Sequence, residues 1–236
     1  MAEEGLENSV KIMDTGGTMD LTLIQKITIW VLPLIFAITL HEVAHGYVAY
    51  LFGDHTARLS GRLTLNPLKH IDLVGTIIVP LLMLMFSNFI FGWAKPVPVD
   101  PRNFHHPRRD IALVALAGPL SNLLMAIFWA AIARSGMAIE QAGNPWFGAP
   151  LNYMGMAGIL INVLLAVLNL IPLPPLDGGK VLSSLLPPRL AYQLNLIEPY
   201  GFIILVLLLV SGLLSRLIAP FIFLFINVLA GLFGLM

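Results

Sequence analysis

The chain has 236 residues, 58% of them hydrophobic and 11% charged, with no net charge at pH 7 and a mean hydropathy of +0.86. A soluble domain is nearer about 45–50% apolar and about 25% charged, so the composition excludes a water-soluble fold and, lacking a basic excess, a nucleic-acid partner. Cysteine is absent, which excludes disulfides, a thiol nucleophile and thiolate metal ligands, so that any metal site must use His, Asp or Glu.

Residues 1–20 are polar and mildly acidic, without the basic start and apolar centre of a signal peptide. They read as a disordered tail or, given Met13 and Met19, partly as expression-derived or alternative-start sequence. A spanning helix needs about 20 apolar residues. Runs that meet or approach this cover 21–52 (with Pro33 as a kink), 73–93 (with Pro80), 111–133, 154–171, 200–214 and 217–236, the last two split by Arg216. The expectation is an all-α integral membrane protein, a single domain over 21–236 built as a bundle of about five to six transmembrane or re-entrant helices. Between the first two runs, the alternation Arg58-Leu59-Ser60-Gly61-Arg62-Leu63-Thr64-Leu65-Asn66-Pro67 predicts a short β-hairpin near 58–66. Its edge could receive a substrate strand, or it could be purely structural.

Basic short loops face the cytoplasm. The loop at 94–110 carries Lys95, Arg102, Arg108 and Arg109, whereas 135–152 has Glu140 and no base. This places 94–110 and 172–199 inside and 135–152 outside. Residues 53–72 are also basic, through Arg58, Arg62 and Lys69. The run 73–93 is therefore expected to enter and return on one side, with the first helix running from outside to inside. His55, His70, His105 and His106 read as solvated loop residues. Trp30, Trp93, Trp129 and Trp146 read as interface anchors or packing residues, and Lys95, Arg108 and Arg109 as topology determinants touching lipid phosphates.

The first run contains Thr39-Leu40-His41-Glu42-Val43-Ala44-His45-Gly46, a match to H-E-x-x-H. Residues four apart share a helix face, so His41 and His45 can bind one ion together. Glu42 stands beside the first of them, where a carboxylate can take a proton from attacking water and deliver it to a leaving amine. An ionisable group at membrane depth costs about 2.5–3.5 kcal/mol on insertion scales, so three in one turn point to joint work. The bland alternative is an interfacial stretch whose His and Glu are solvated. Catalytic zinc takes three protein ligands, and the next histidine, His55, lies beyond the break at Gly53-Asp54, so the third ligand comes from elsewhere. The fourth run ends in Asn169-Leu170-Ile171-Pro172-Leu173-Pro174-Pro175-Leu176-Asp177-Gly178-Gly179-Lys180. Three prolines in four positions stop a helix, and the two glycines permit a tight turn. Alone, this segment is an ordinary surface turn. Beside H-E-x-x-H, Asp177 becomes a ligand candidate that would complete a two-His-one-carboxylate set. Such a set also suits iron or cobalt; zinc is preferred because Glu42 suits hydrolysis.

With Ala117-Gly118-Pro119-Leu120-Ser121-Asn122 between them, these motifs resemble, in order, those of the site-2 protease family of intramembrane metalloproteases. The resemblance covers most of 21–185 and implies a catalytic core there. It implies one Zn2+ on His41, His45 and Asp177, with Glu42 as general base. It places Asn169 against substrate or transition state, and Asn122 across helices with a lesser part in binding substrate. It further implies regulated intramembrane proteolysis: hydrolysis within or beside the transmembrane segments of single-span or other membrane proteins. The setting would be a prokaryotic plasma membrane, with the active site toward the cytoplasm. The chain leaves no room for the PDZ domain of larger members and is similar to a compact prokaryotic branch. The runs 200–214 and 217–236 are gate candidates. The rival reading is a non-proteolytic membrane protein that binds transmembrane segments or metal. A transporter would carry more polar residues across several helices, and a silent relative would have lost a catalytic residue. Substrate and oligomeric state stay open.

Overall fold

The computed structural model describes residues 23–78 and 94–235. Its helices are α1 (Leu23–Leu51), α2 (Thr56–Leu59), α3 (Pro107–Gln141), α4 (Pro145–Asn169), α5 (Asp177–Leu185), α6 (Pro188–Asn195), α7 (Glu198–Val210) and α8 (Leu213–Phe233). Short 3-10 turns lie at Pro67–Lys69 and Pro101–Asn103, and a π-helical turn at Leu73–Ile78. Ile27–Leu51 of α1, together with α3, α4 and α8, is long and apolar enough to cross a membrane, and α6 with α7 supplies a fifth span if the pair counts as one broken helix. Their outward faces fit lipid: Leu124 is 69% exposed and Leu232 75%, a display that water would penalise. The chain is a multi-pass membrane protein.

Contacts divide the chain into two units, one holding the stretch up to Leu34, Asn122–Leu168 and the stretch from Glu198, the other holding Ile35–Ser121 and Asn169–Ile197. In the first unit α3 and α4 form a tight antiparallel pair joined by residues 142–144, with Gly143 at φ +90°. The pair meets backbone to backbone. A Cβ on Gly136 would lie 2.4 Å from Asn152 N, and one on Gly155 2.4 Å from Ala133 N. Small residues permit this approach where lipid removes the hydrophobic drive for helices to associate. Both helices consequently run well into 135–152, which the sequence reading left as a loop. Trp129 packs over Gly158 and is 3% exposed, so it is a packing residue, while Trp146 at 72% fits an interface anchor. Trp93 lies outside the described residues, as does the tail 1–20. The buried Asn122 donates from Nδ2 to Asn162 Oδ1 at 3.0 Å, and Asn162 donates to Gly158 O at 2.8 Å.

The second unit corrects the expected hairpin. There is no strand among the described residues, and 58–66 contains the end of α2 and an irregular turn. Several of its polar groups bond locally. Arg62 N–H donates to Ala57 O, Ser60 Oγ to Thr56 O, and Gly61 turns the chain at φ +66°. The alternating pattern reflects side chains sent to different neighbours, not a pleat: Arg62 is buried while Leu65 and Leu68 are exposed. Of the run 73–93, only Leu73–Ile78 is described, so its re-entrant reading falls largely outside the described residues. His55, His105 and His106 are exposed, but His70, expected to be solvated, is buried and donates from Nε2 to Thr64 O at 2.9 Å.

Beneath α1, a fully buried Asp54 ties three segments together. Oδ1 accepts from Thr56 N–H (3.0 Å), the Thr56 hydroxyl and Asn103 Nδ2 (2.8 Å), and Oδ2 accepts from Asp100 N–H (2.8 Å). Burial pushes the Asp54 carboxyl up, but these hydrogen bonds outweigh it and hold the group below its ordinary value. A depressed carboxylate stabilises the fold above its unfolded pKa of about 3.9 and loses that contribution as pH falls toward the folded value. The thermal midpoint of wild type should therefore exceed that of Asp54→Asn at pH 7, and the gap should close below about pH 4. A gap unchanged at pH 3 would contradict the assignment. A small apolar cluster of Ala49, Phe104 and Val114, flanked by Phe52, Val99 and Ile111, completes the junction.

Candidate metal centre and active site

The α1 helix carries a buried stripe at four-residue spacing: Ala37, His41, His45 and Ala49. The two histidines are thereby aimed inward, each 8% exposed. His45 Nδ1 lies 2.7 Å from Val114 O. A carbonyl only accepts, so the ring proton sits on Nδ1 and Nε2 presents its lone pair. That Nε2 is 3.1 Å from His41 Nε2, and Asp177 Oδ2 is 3.2 Å from His41 Nε2 and 3.1 Å from His45 Nε2. Asp177 Oδ2 is buried with no donor in hydrogen-bonding geometry.

Lone pairs facing one another at this spacing call for a cation among them. Ligands 2.0–2.1 Å from a tetrahedral zinc are about 3.3–3.4 Å apart, close to the three edges seen here. His41, His45 and Asp177 are the one group of three metal-donor side chains so placed among the described residues. The donor set fits the ion: two neutral imidazoles and one carboxylate, all buried.

Asp177 reaches this position because of the chain before and after it. The prolines end regular structure after α4, and Asp177 opens α5. A Cβ on Gly178 would lie 2.3 Å from Leu170 O, and one on Gly179 2.4 Å from Pro174 N. The glycines thus serve close packing of α5 onto residues 170–174; neither has positive φ. Lys180 Nζ donates to Asp177 Oδ1 at 3.1 Å, which leaves Oδ2 for the imidazoles.

Gly118 completes the pocket wall. A Cβ there would lie 2.4 Å from His45 Nε2 and 2.6 Å from His41 Cε1, so both rings rest on bare backbone. Glu42 is partly buried, and its Oε2 accepts from Val97 N–H at 2.8 Å. Asn169 is the last residue of α4, partly buried, in the same unit as the three donors. Asn122 belongs to the other unit and is fully buried against Asn162. Sequence reasoning missed the parts played by Gly118, Lys180 and Val97. Gly118 stood inside a recognised motif that drew attention to Asn122 alone.

Apolar spanning helices in a chain that also holds a buried His-His-Asp donor set, with a carboxylate next to the first histidine, define a membrane-embedded metalloprotease. The sequence profile of Peptidase family M50 matches residues 134–212. A Bacillus subtilis (strain 168) protein named "Putative zinc metalloprotease YwhC" is 41% identical over 192 residues, 80% of this chain and 84% of that relative. Rip2 of Mycolicibacterium smegmatis, with the same designation, is 31% identical over 182 residues, 77% of this chain and 66% of its own length. The similarly designated MJ0611 of Methanocaldococcus jannaschii is 39% identical over 70 residues, 30% of this chain and 32% of its own. No solved structure matches significantly. The chain belongs to Peptidase family M50, the site-2 protease family, and is a zinc metalloprotease of the membrane.

Proposed function

We propose that the chain is an endopeptidase cutting membrane proteins within or beside their transmembrane segments, with its active site toward the cytoplasm. The observation that carries this is the convergence of His41, His45 and Asp177 from two distant stretches of chain onto one buried point. His41, His45 and Asp177 would hold the zinc. When bound, zinc polarises the scissile carbonyl and makes water acidic enough to attack at neutral pH. Glu42 takes the proton of the attacking water and passes it to the leaving amine. The Val114 carbonyl keeps His45 in the tautomer that can ligate. Asn169, at the break where α4 ends, offers its amide to the substrate backbone or to the oxyanion that develops on it. Asn122 contributes through helix pairing. The cytoplasmic assignment is supported by the exposed bases Lys95, Arg102, Arg108 and Arg109 in the unit that holds the donors. The same proposal keeps α7 and α8 as gate candidates.

The test compares purified wild type with Glu42→Gln. Both should bind one zinc per chain, and the variant should cleave a single-span substrate about 10²–10⁴-fold more slowly. Equal cleavage by the two proteins would overturn the proposal.

A further inference from the structure

We infer that Arg62 is a positioning residue for Glu42, acting through the backbone of Lys95–Val97. The inference rests on the reading of Glu42 as general base. Arg62 comes from the segment wrongly expected to be a hairpin, and it is 8% exposed. Its Nη2 donates to Lys95 O at 2.7 Å and to Pro96 O at 3.2 Å. From the same side, His70 O accepts Lys95 N–H at 2.9 Å. His70 is itself locked, 2% exposed and bonded to Thr64 O. Residues 95–96 are thus gripped by both ends of the 62–70 segment.

The next residue turns this grip toward the chemistry. In Pro96-Val97-Pro98 the prolines have no N–H, so Val97 carries the one donor of the three. That N–H goes to Glu42 Oε2 at 2.8 Å. The Val97 side chain is seated too: a Cβ on Gly46 would lie 2.9 Å from Val97 Cγ1, which places Val97 against α1 one turn beyond Glu42. One carboxylate oxygen of Glu42 is therefore tethered, and the other is left for proton transfer.

A guanidinium is an expensive way to hold a loop. Burying the charge carries a desolvation penalty, and neutral side chains can also hold carbonyls. What the charge adds is a short, strong, directional bond. Such a bond matters where a sub-ångström placement must be kept, and here it ends two residues before the amide that restrains the base.

The experiment is a double-mutant cycle on the full-length enzyme, with zinc content, thermal midpoint, kcat and KM measured for each protein. Arg62→Ala should keep one zinc per chain and lower kcat about tenfold, with KM changed less than about twofold. Arg62→Lys, which keeps the charge but reaches at most one carbonyl, should fall between. Should Arg62→Ala not fold, the lysine variant reads the same effect at about threefold. In a Glu42→Asp background the shorter acid loses the Val97 N–H, so Arg62→Ala should cost less than about twofold. The inference is overturned if Arg62→Ala leaves kcat intact, if its cost is the same in both backgrounds, or if kcat falls only in step with zinc. A Glu42→Gln variant that cleaves like wild type would instead sink the reading of Glu42 itself. Loss of activity in Glu42→Gln with an unimpaired Arg62→Ala would sink only the role of Arg62.

Discussion

Asp177→Ala is expected to yield a folded membrane protein that holds no stoichiometric zinc and cleaves no substrate. Asp177 supplies the only anionic donor of the three, and it is 4% exposed. Without it, two neutral imidazoles on one helix remain, a set that falls one ligand short of a catalytic zinc site. Affinity should fall at least about a thousandfold, and kcat/KM should drop below detection. The fold should survive, because the helices of the second unit are held by contacts that do not involve the carboxylate. Neither the Asp54 network nor the Ala49–Phe104–Val114 cluster includes Asp177. Metal content after dialysis, read beside helical circular dichroism, separates the two effects. A variant that keeps one tightly held zinc and its helices would show that the third ligand lies elsewhere.

Gly118→Ala should be nearly as damaging, by a steric route. The added methyl would stand 2.4 Å from His45 Nε2 and 2.6 Å from carbons of both rings. Contacts this short force something to move, and the rings have little freedom. His45 is tied to Val114 O at 2.7 Å, four residues (one turn) earlier on the same helix as Gly118. The methyl therefore pushes both imidazoles off the common point rather than into empty space. Disturbing the groups that orient metal ligands typically costs 10–100-fold in affinity or activity, and a loss of about 100-fold in both is expected here. Zinc titration and cleavage assays check it. Gly61→Ala, at a site with nothing within 4 Å but with φ +66°, serves as a control that strains a turn without touching the rings. Wild-type zinc affinity in Gly118→Ala would contradict the packing.

The two histidines stand out in the sequence because their spacing is local, whereas Asp177 is marked only by its own neighbours. His41 and His45 sit one turn apart, and Asp177 is flagged by prolines before it and glycines after. Gly118 was legible as a motif letter but not as a wall, since its contacts lie some seventy residues back along the chain. Val97 and Arg62 were not legible at all. Val97 acts through its backbone N–H, and the Arg62 guanidinium has two backbone carbonyls for partners, contacts that no side-chain pattern records. The 58–66 error has the same root: an alternation of polar and apolar residues can mean a pleat, or it can mean side chains recruited one by one to distant partners. The runs that became α1, α3, α4 and α8 were found as spans, but the ends of α3 and α4 were not. The glycines that lower the apolar signal around 136–148 are the residues that let the two helices lie backbone to backbone.

The placement of Asp177 has one more consequence. His45 and Asp177 are separated by 132 positions, and the whole of α3 and α4 is made between them. A chain still emerging from the ribosome carries its paired histidines and its glutamate early but lacks the acid proposed to complete the donor set. Hydrolytic power therefore arrives late, after the last proline of the break has been added and the intervening helices have been inserted. With the site as proposed, such a chain cannot hydrolyse a neighbouring helix before Asp177 has been added. Once the acid docks, metal capture closes a long loop and adds its binding energy to the folded form. The ion then acts as a fastener as well as a reagent: its loss during unfolding would silence the enzyme before the fold comes apart.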